Sequence, residues 1–204
     1  MNKKHEREYR SMELRALPPE EGEEKRYIVE GYASTFDPYT LMTRDGIDYK
    51  EKIDPTAFDE ADLTDVVFRL EHEGRVYARS SAGTVELSTD DHGLAVRVDL
   101  SKTPTARDVF ADIEAGNYPK MSFAFTVADD GDSYDKDTHT RTISRIAKVF
   151  DVSPVSFPAN PGTELSVSTR DYFNGVIEAE RAERLEAERR EKQKQKIRIL
   201  MEVQ

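Results

Sequence analysis

The chain has 204 residues, of which 37% are hydrophobic, enough for one ordinary domain with appendages around a modest core. Its 41 acidic residues against 30 basic ones give a formal charge of −11, which argues against binding nucleic acid through its phosphates as the main task and favours protein partners. The absence of cysteine excludes disulfides, thiolate metal sites and cysteine nucleophiles, and leaves Ser, Thr and Lys as candidate nucleophiles. No run approaches the ~20 apolar residues of a membrane span. Met1 to Arg10 is charged with no apolar stretch behind it, so neither a signal peptide nor a membrane association is expected and the protein reads as cytoplasmic.

In chain order, Met12, Leu14 and Ala16 alternate with Ser11, Glu13 and Arg15, the period of a half-buried strand from Tyr9 to Ala16. Pro18 to Lys25 reads as a turn, and Tyr27 to Ala33 resumes the strand pattern, so the two runs are expected to neighbour each other. Asp37 to Lys52 mixes Pro, Gly, Asp and Thr without sustained periodicity and is expected to be a long surface loop. Ile53 to Phe58 suggests a short helical turn capped by Asp54 with Pro55 at the first helical position. Val66 to Leu70 is a buried strand that delivers Glu71-His72-Glu73-Gly74 at its end. Val76 to Ser80, Gly83 to Ser88 and Leu94 to Leu100 read as strands, the last two joined by a tight turn over Thr89 to Gly93.

Thr103-Pro104 opens a helix through Ala115, with Ala106, Val109, Phe110 and Ile113 on one face and Gly116 closing it. A short, strongly apolar strand follows, Lys120-Met121-Ser122-Phe123-Ala124-Phe125-Thr126-Val127. Ala128 to His139 is a polar hairpin loop, and Arg141 to Ser156 is one bent strand or two, with Pro154, Pro158 and Pro161 marking where the sheet pattern stops. Beyond Arg170 the composition shifts to Glu, Arg, Lys, Gln and Ala. Ile177 to Arg198 is helical by propensity but lacks an apolar stripe, so it is a solvated helix or one that docks on a partner. The organisation expected is a flexible arm over 1–8, a β-rich domain over 9–170 and a charged helical tail over 171–204.

Histidine is the natural base at neutral pH. His5 lies in a terminus, His92 in a turn and His139 in a polar hairpin, whereas His72 follows an apolar run that anchors its backbone. A serine hydroxyl needs such a base to become a nucleophile, and the imidazole works best when a third group holds its tautomer. Ser122 inside its apolar strand is the candidate nucleophile. Asp151, between Val149-Phe150 and Val152, is the candidate third group, because an acid in so apolar a setting needs a partner. Each also has a plainer interpretation, as a hydrogen-bonded filler, a surface histidine and an outward-facing acid. The Glu71-His72-Glu73 triplet is not expected to bind a metal, since adjacent side chains of a strand point to opposite faces, and no cofactor is expected.

Several pieces in one order carry a family resemblance: Val29-Glu30-Gly31-Tyr32-Ala33-Ser34, Glu51-Lys52-Ile53-Asp54-Pro55-Thr56-Ala57-Phe58, His72, Ser81-Ala82-Gly83-Thr84-Val85-Glu86-Leu87, Asp91-His92-Gly93-Leu94, Ile113-Glu114-Ala115-Gly116, Met121-Ser122-Phe123-Ala124-Phe125, and Asp151-Val152-Ser153-Pro154-Val155 with Pro158-Ala159-Asn160-Pro161. Together they resemble the prohead maturation proteases of tailed phages with HK97-type capsids. Ala124 stands where that family commonly has glycine, and Lys120 where it commonly has a small residue.

The resemblance implies a mainly β protein with a few helices, a closed or partly open β-barrel of the herpesvirus-protease type. It assigns His72 as general base, Ser122 as nucleophile and Asp151 as third member, with oxyanion donors among backbone N–H groups near the nucleophile. The implied substrates are the scaffolding region of the major capsid protein, inside the prohead in the host cytoplasm, and the protease itself; a homo-oligomer is also within expectation. The rival is a non-catalytic capsid assembly factor in which the β domain binds capsid protein and the tail scaffolds it. A nucleic-acid-binding barrel that stacks bases on Tyr and Phe fits poorly with the acid excess.

Overall fold

The structure is a computed structural model that describes residues 7–17, 27–156 and 167–202. The expected turn over Pro18 to Lys25, His5, most of the 1–8 arm and the Pro158 to Pro161 segment lie outside the described residues. The described residues fall into two compact units that divide between Ser166 and Val167.

The first unit is mainly β. Its strands are β1 (Glu8–Ala16), β2 (Ile28–Thr35), β3 (Tyr39–Arg44), β4 (Ile47–Ile53), β5 (Val67–Leu70), β6 (Glu73–Arg79), β7 (Val85–Thr89), β8 (Gly93–Asp99), β9 (Lys120–Val127), β10 (Asp132–Asp135), β11 (Thr140–Ile143) and β12 (Ile146–Val155), with helix α1 (Pro104–Glu114) between β8 and β9. Eight strands form one sheet in the order β6-β5-β12-β9-β1-β2-β8-β7, and four form a second in the order β10-β11-β4-β3. Neither sheet closes into a barrel among the described residues.

β1 holds the large sheet together. Its residues Glu8 to Glu13 pair antiparallel with β9, and Leu14 to Ala16 pair antiparallel with β2, so one strand joins the half that carries Ser122 to the β2-β8-β7 half. The expected pairing of the first two strands is found. Along β9, Met121, Phe123 and Phe125 face the core, where the Phe123 and Phe125 rings stack at 4.6 Å. Strand periodicity therefore turns Ser122 and Ala124 to the opposite face. The expected helix is α1, capped by the Thr103 side chain, which accepts from the Ala106 N–H at 3.1 Å, and it buries Ala106, Val109, Phe110 and Ile113. The β7–β8 turn depends on Gly93, because a Cβ there would fall 1.9 Å from the Ser34 carbonyl oxygen.

Two expectations are corrected. Asp37 to Lys52 is not a loop but holds the β3–β4 hairpin, closed by Asp45 and Gly46, both at positive φ (54° and 79°), the backbone geometry that favours Asp-Gly in two-residue hairpin turns. Ile53 to Phe58 does hold the expected short turn capped by Asp54, which accepts from the Thr56 N–H through its side chain (3.0 Å) and from the Ala57 N–H through its carbonyl (2.9 Å), and no regular helix follows it. Arg141 to Ser156 resolves into two strands. Pro154 does not end the second but pairs within it opposite Met121.

The second unit is one helix, α2 (Val167–Glu202, 36 residues), which starts just before the change in composition. Glu186–Arg190 and Glu191–Lys194 are ion pairs along it, and Leu185 and Ile197 are exposed. Among the described residues no helix is long and apolar enough to cross a membrane.

The two sheets are joined by buried charge. Arg10 on β1 donates from Nε to Glu51 Oε1 (2.5 Å) and from Nη2 to Glu51 Oε2 (2.6 Å) and Glu8 Oε2 (2.8 Å). Arg141 on β11 meets Glu8 at 2.8 and 3.0 Å and Glu51 at 3.2 Å. The Tyr39 hydroxyl also donates to Glu51 Oε1 at 2.5 Å. Burial by itself lowers the Arg10 pKa, but Glu51, Tyr39 and Glu8 outweigh it and hold the guanidinium well above its ordinary value. Burial and the Glu51 charge together push the Tyr39 phenol well up.

Such a cluster adds little over an apolar core when intact but is costly to break, because the surviving charges stay buried. Glu51→Leu leaves two guanidiniums short of an acceptor and is expected to lower unfolding free energy by about 3–5 kcal/mol. Urea unfolding followed by circular dichroism checks this; a loss near 0.5 kcal/mol, the scale of roughly one surface pair, would contradict it.

Candidate active site

Three separate pieces of the large sheet bring the three sequence candidates together. Ser122 lies in mid-β9 and is the register partner of Ser153 on β12. Asp151 reaches the same face through an irregularity in β12: Val149 pairs with Phe125, but Asp151, not Phe150, pairs with Ala124. Val149 and Val152 both belong to the core, so they are three residues apart where a regular strand would place core residues two apart. The extra residue is a β-bulge, which re-aims the chain next to it and turns Asp151 away from the core.

His72 comes from the β5–β6 connection. Glu71 and His72 form a two-residue turn with φ of 49° and 59°, and Leu70 pairs with Glu73 across it. They therefore do not continue a strand, as the metal argument from alternation assumed. Left-handed backbone at a non-glycine residue costs roughly 1–2 kcal/mol, and the surroundings hold it in place. The Glu71 N–H donates to the Pro154 carbonyl (3.1 Å), the Ser156 N–H donates to Glu71 Oε1 (2.8 Å), and Arg69 Nη2 donates to the Gly74 carbonyl (2.8 Å). The turn is thus tied to the end of the strand that carries Asp151.

The resulting geometry is a continuous chain of hydrogen bonds. His72 Nδ1 lies 2.6 Å from Asp151 Oδ1, and His72 Nε2 lies 2.7 Å from Ser122 Oγ. With the Asp151 carboxylate as acceptor, the imidazole tautomer that carries its proton on Nδ1 lets the Ser122 hydroxyl donate to Nε2. Ser122 and Asp151 are 2% and 1% exposed, so little water competes for these bonds.

Two residues without an assigned role in the sequence also belong to the site. The Ser153 hydroxyl donates to Asp151 Oδ1 at 2.8 Å, the same oxygen that receives His72, and the Tyr9 ring packs edge-on against the imidazole with centroids 4.5 Å apart. Ser153 was legible as Asp151 plus two, a same-face position in any strand. Tyr9 was not, because its contact depends on β1 pairing with β9. His92 packs against Tyr32 and His139 lies beside Tyr134, so neither joins this chain.

β9 is paired along both edges at Ser122, with Ser11 on one side and Ser153 on the other. The β9 backbone around Ser122 is therefore engaged in ladders on both sides.

Ser153→Ala removes one hydrogen bond to a buried anion, worth about 1.5–3 kcal/mol. It is expected to slow modification of Ser122 by a fluorophosphonate probe about tenfold, at ~1.4 kcal/mol per decade, with Ser153→Thr restoring most of the rate. Labelling of Ser153→Ala at the wild-type rate would show that the Ser153 bond does not matter to the site.

No curated protein and no solved structure matches the chain at a significant level. The sequence model of the caudovirus prohead serine proteases matches residues 11–175, a stretch that contains every residue of the hydrogen-bonded chain. On that match, the protein belongs to the caudovirus prohead serine protease family, the hydrolases of bacteriophage capsid maturation.

Proposed function

We propose that this chain is a serine endopeptidase that cuts the scaffolding region of the major capsid protein, and itself, during prohead maturation, using Ser122 as nucleophile, His72 as general base and Asp151 as the third member. The observation that carries this is the unbroken run Ser122 Oγ to His72 Nε2 and His72 Nδ1 to Asp151 Oδ1, at 2.7 and 2.6 Å. In acyl transfer the Ser122 hydroxyl attacks a peptide carbonyl while His72 Nε2 takes its proton. Asp151 keeps the imidazole in the tautomer that can accept that proton and stabilises the imidazolium that forms. His72 then hands the proton to the leaving amine, and water activated by the same ring releases the acyl group.

The working division is a catalytic unit over 9–170, an arm over 1–8 and a tail over 171–204 that docks on capsid or scaffold protein within the prohead, in the host cytoplasm. The passage of β1 from pairing with β9 to pairing with β2 supports a partly open relative of the herpesvirus-type barrel. Packing inside a shell raises the effective concentration of weakly self-associating copies, which would delay activity until assembly.

Co-expression with the capsid protein of the same phage tests the assignment. Wild type should yield a shortened capsid chain, and Ser122→Ala an intact one, with the rate lower by roughly 10⁴-fold or more. A capsid chain left intact by both would favour the assembly-factor alternative. Intact-mass spectrometry of the protease alone should show arm or tail removal in wild type and not in Ser122→Ala; full-length wild type would exclude self-processing.

A further inference from the structure

The face of the large sheet that carries Ser122 continues, through β1, onto the β2-β8-β7 half. Position 11 of β1 is the register partner of Ser122, and Arg15 lies four residues further on the same strand and the same face. At ~3.3 Å per strand residue this is about 13 Å from the nucleophile. There the register aligns a row of charges: Arg15 pairs with Glu30, Glu30 with Arg97 and Arg97 with Glu86. Along the next row Tyr32 pairs with Ala95. These six residues line a cavity of about 540 Å³.

The charges are not all neutralised internally. Arg97 and Glu30 form an ion pair in the middle of the row. Arg15 at one wall and Glu86 at the other have no hydrogen-bond or ion-pair partner among the described residues. One row over, the floor is low at Ala95 and flanked by Tyr32, whose hydroxyl donates to Asp90, and this leaves room for an uncharged side chain. From β1 to β7 is three strand spacings, about 14 Å, which roughly four residues of extended chain would cross.

We propose that this groove is a distal recognition site for the polypeptide being cut. It takes an extended segment four or more residues from the scissile bond, with an acidic residue facing Arg15, a basic residue facing Glu86, and an uncharged side chain seated over Ala95 beside Tyr32. The site rests on the assignment of Ser122 as nucleophile, and it extends that assignment from chemistry to substrate selection. A substrate with one sign of charge throughout meets repulsion at one wall; a mixed-charge segment meets none. Binding energy gathered away from the reacting atoms holds a long chain in register over the nucleophile.

The test compares wild type, Arg15→Glu, Glu86→Lys, the exchanged pair Arg15→Glu with Glu86→Arg, and Ala95→Trp, with fold checked by circular dichroism. Two readouts are used: modification of Ser122 by a fluorophosphonate, which needs only the hydrogen-bonded chain, and cleavage of the full-length capsid protein. The single charge reversals and Ala95→Trp are expected to label within about twofold of wild type while KM for the capsid protein rises about tenfold or more, the scale of roughly 1.4 kcal/mol. Capsid cleavage by these variants at the wild-type KM overturns the groove, as does an effect confined to self-association. A wild type that labels but leaves the capsid protein uncut also overturns it, while one that does not label at Ser122 removes the protease assignment itself.

Discussion

Asp151 can reach His72 only because β12 carries one residue too many. Val149 and Val152 are both committed to the core, and a strand of strict period two would place Asp151 on the same side as Val149. The unpaired residue Phe150 absorbs the mismatch, so the strand keeps its apolar anchors and still presents a carboxylate to the opposite face. The rest of the site follows from that shift. Ser153, two residues on, arrives under the same carboxylate oxygen, and the Ser122–Ser153 register sets Ser122 beside both.

His72 is held by a different device. A two-residue turn with positive φ at both Glu71 and His72 is strained for such residues, and strain of this kind persists where the surroundings over-determine the backbone. Here the turn is tied to Pro154 and Ser156, just beyond Asp151, so His72 is anchored to the strand that carries its carboxylate partner. On the other side β1 braces the site: it flanks Ser122 in the sheet, rests Tyr9 on the imidazole, and is clamped to the small sheet by Glu8, Arg10, Glu51 and Arg141. A charge cluster outside the hydrogen-bonded chain therefore supports the strand that flanks Ser122.

How much of this was readable in the sequence depends on range. Ser122, His72 and Asp151 stood out because local apolar runs surround each of them, and α1 because its cap, its apolar face and its closing glycine are all local signals. The β3–β4 hairpin was missed because its polar residues hide the alternation, although Asp45-Gly46 was a turn signal in plain view. The buried ion cluster could not be read, since its partners are 41, 90 and 133 residues apart and each looks like an ordinary surface charge. The bulge at Phe150 was equally hidden, because both phases of the strand were possible until the core chose Val149 and Val152.

The family assignment fixes the class of chemistry, and the hydrogen-bonded chain gives it a specific arrangement to test: the imidazole tautomer with its proton on Nδ1, facing Asp151, and Nε2 accepting from Ser122. Nuclear magnetic resonance of the protein with ¹⁵N-labelled histidine reads that arrangement directly. The expected result is a strongly downfield Nδ1–H resonance from His72, protected from exchange and lost in Asp151→Ala. A His72 ring with its proton on Nε2, or one that exchanges freely and is indifferent to Asp151, would contradict it.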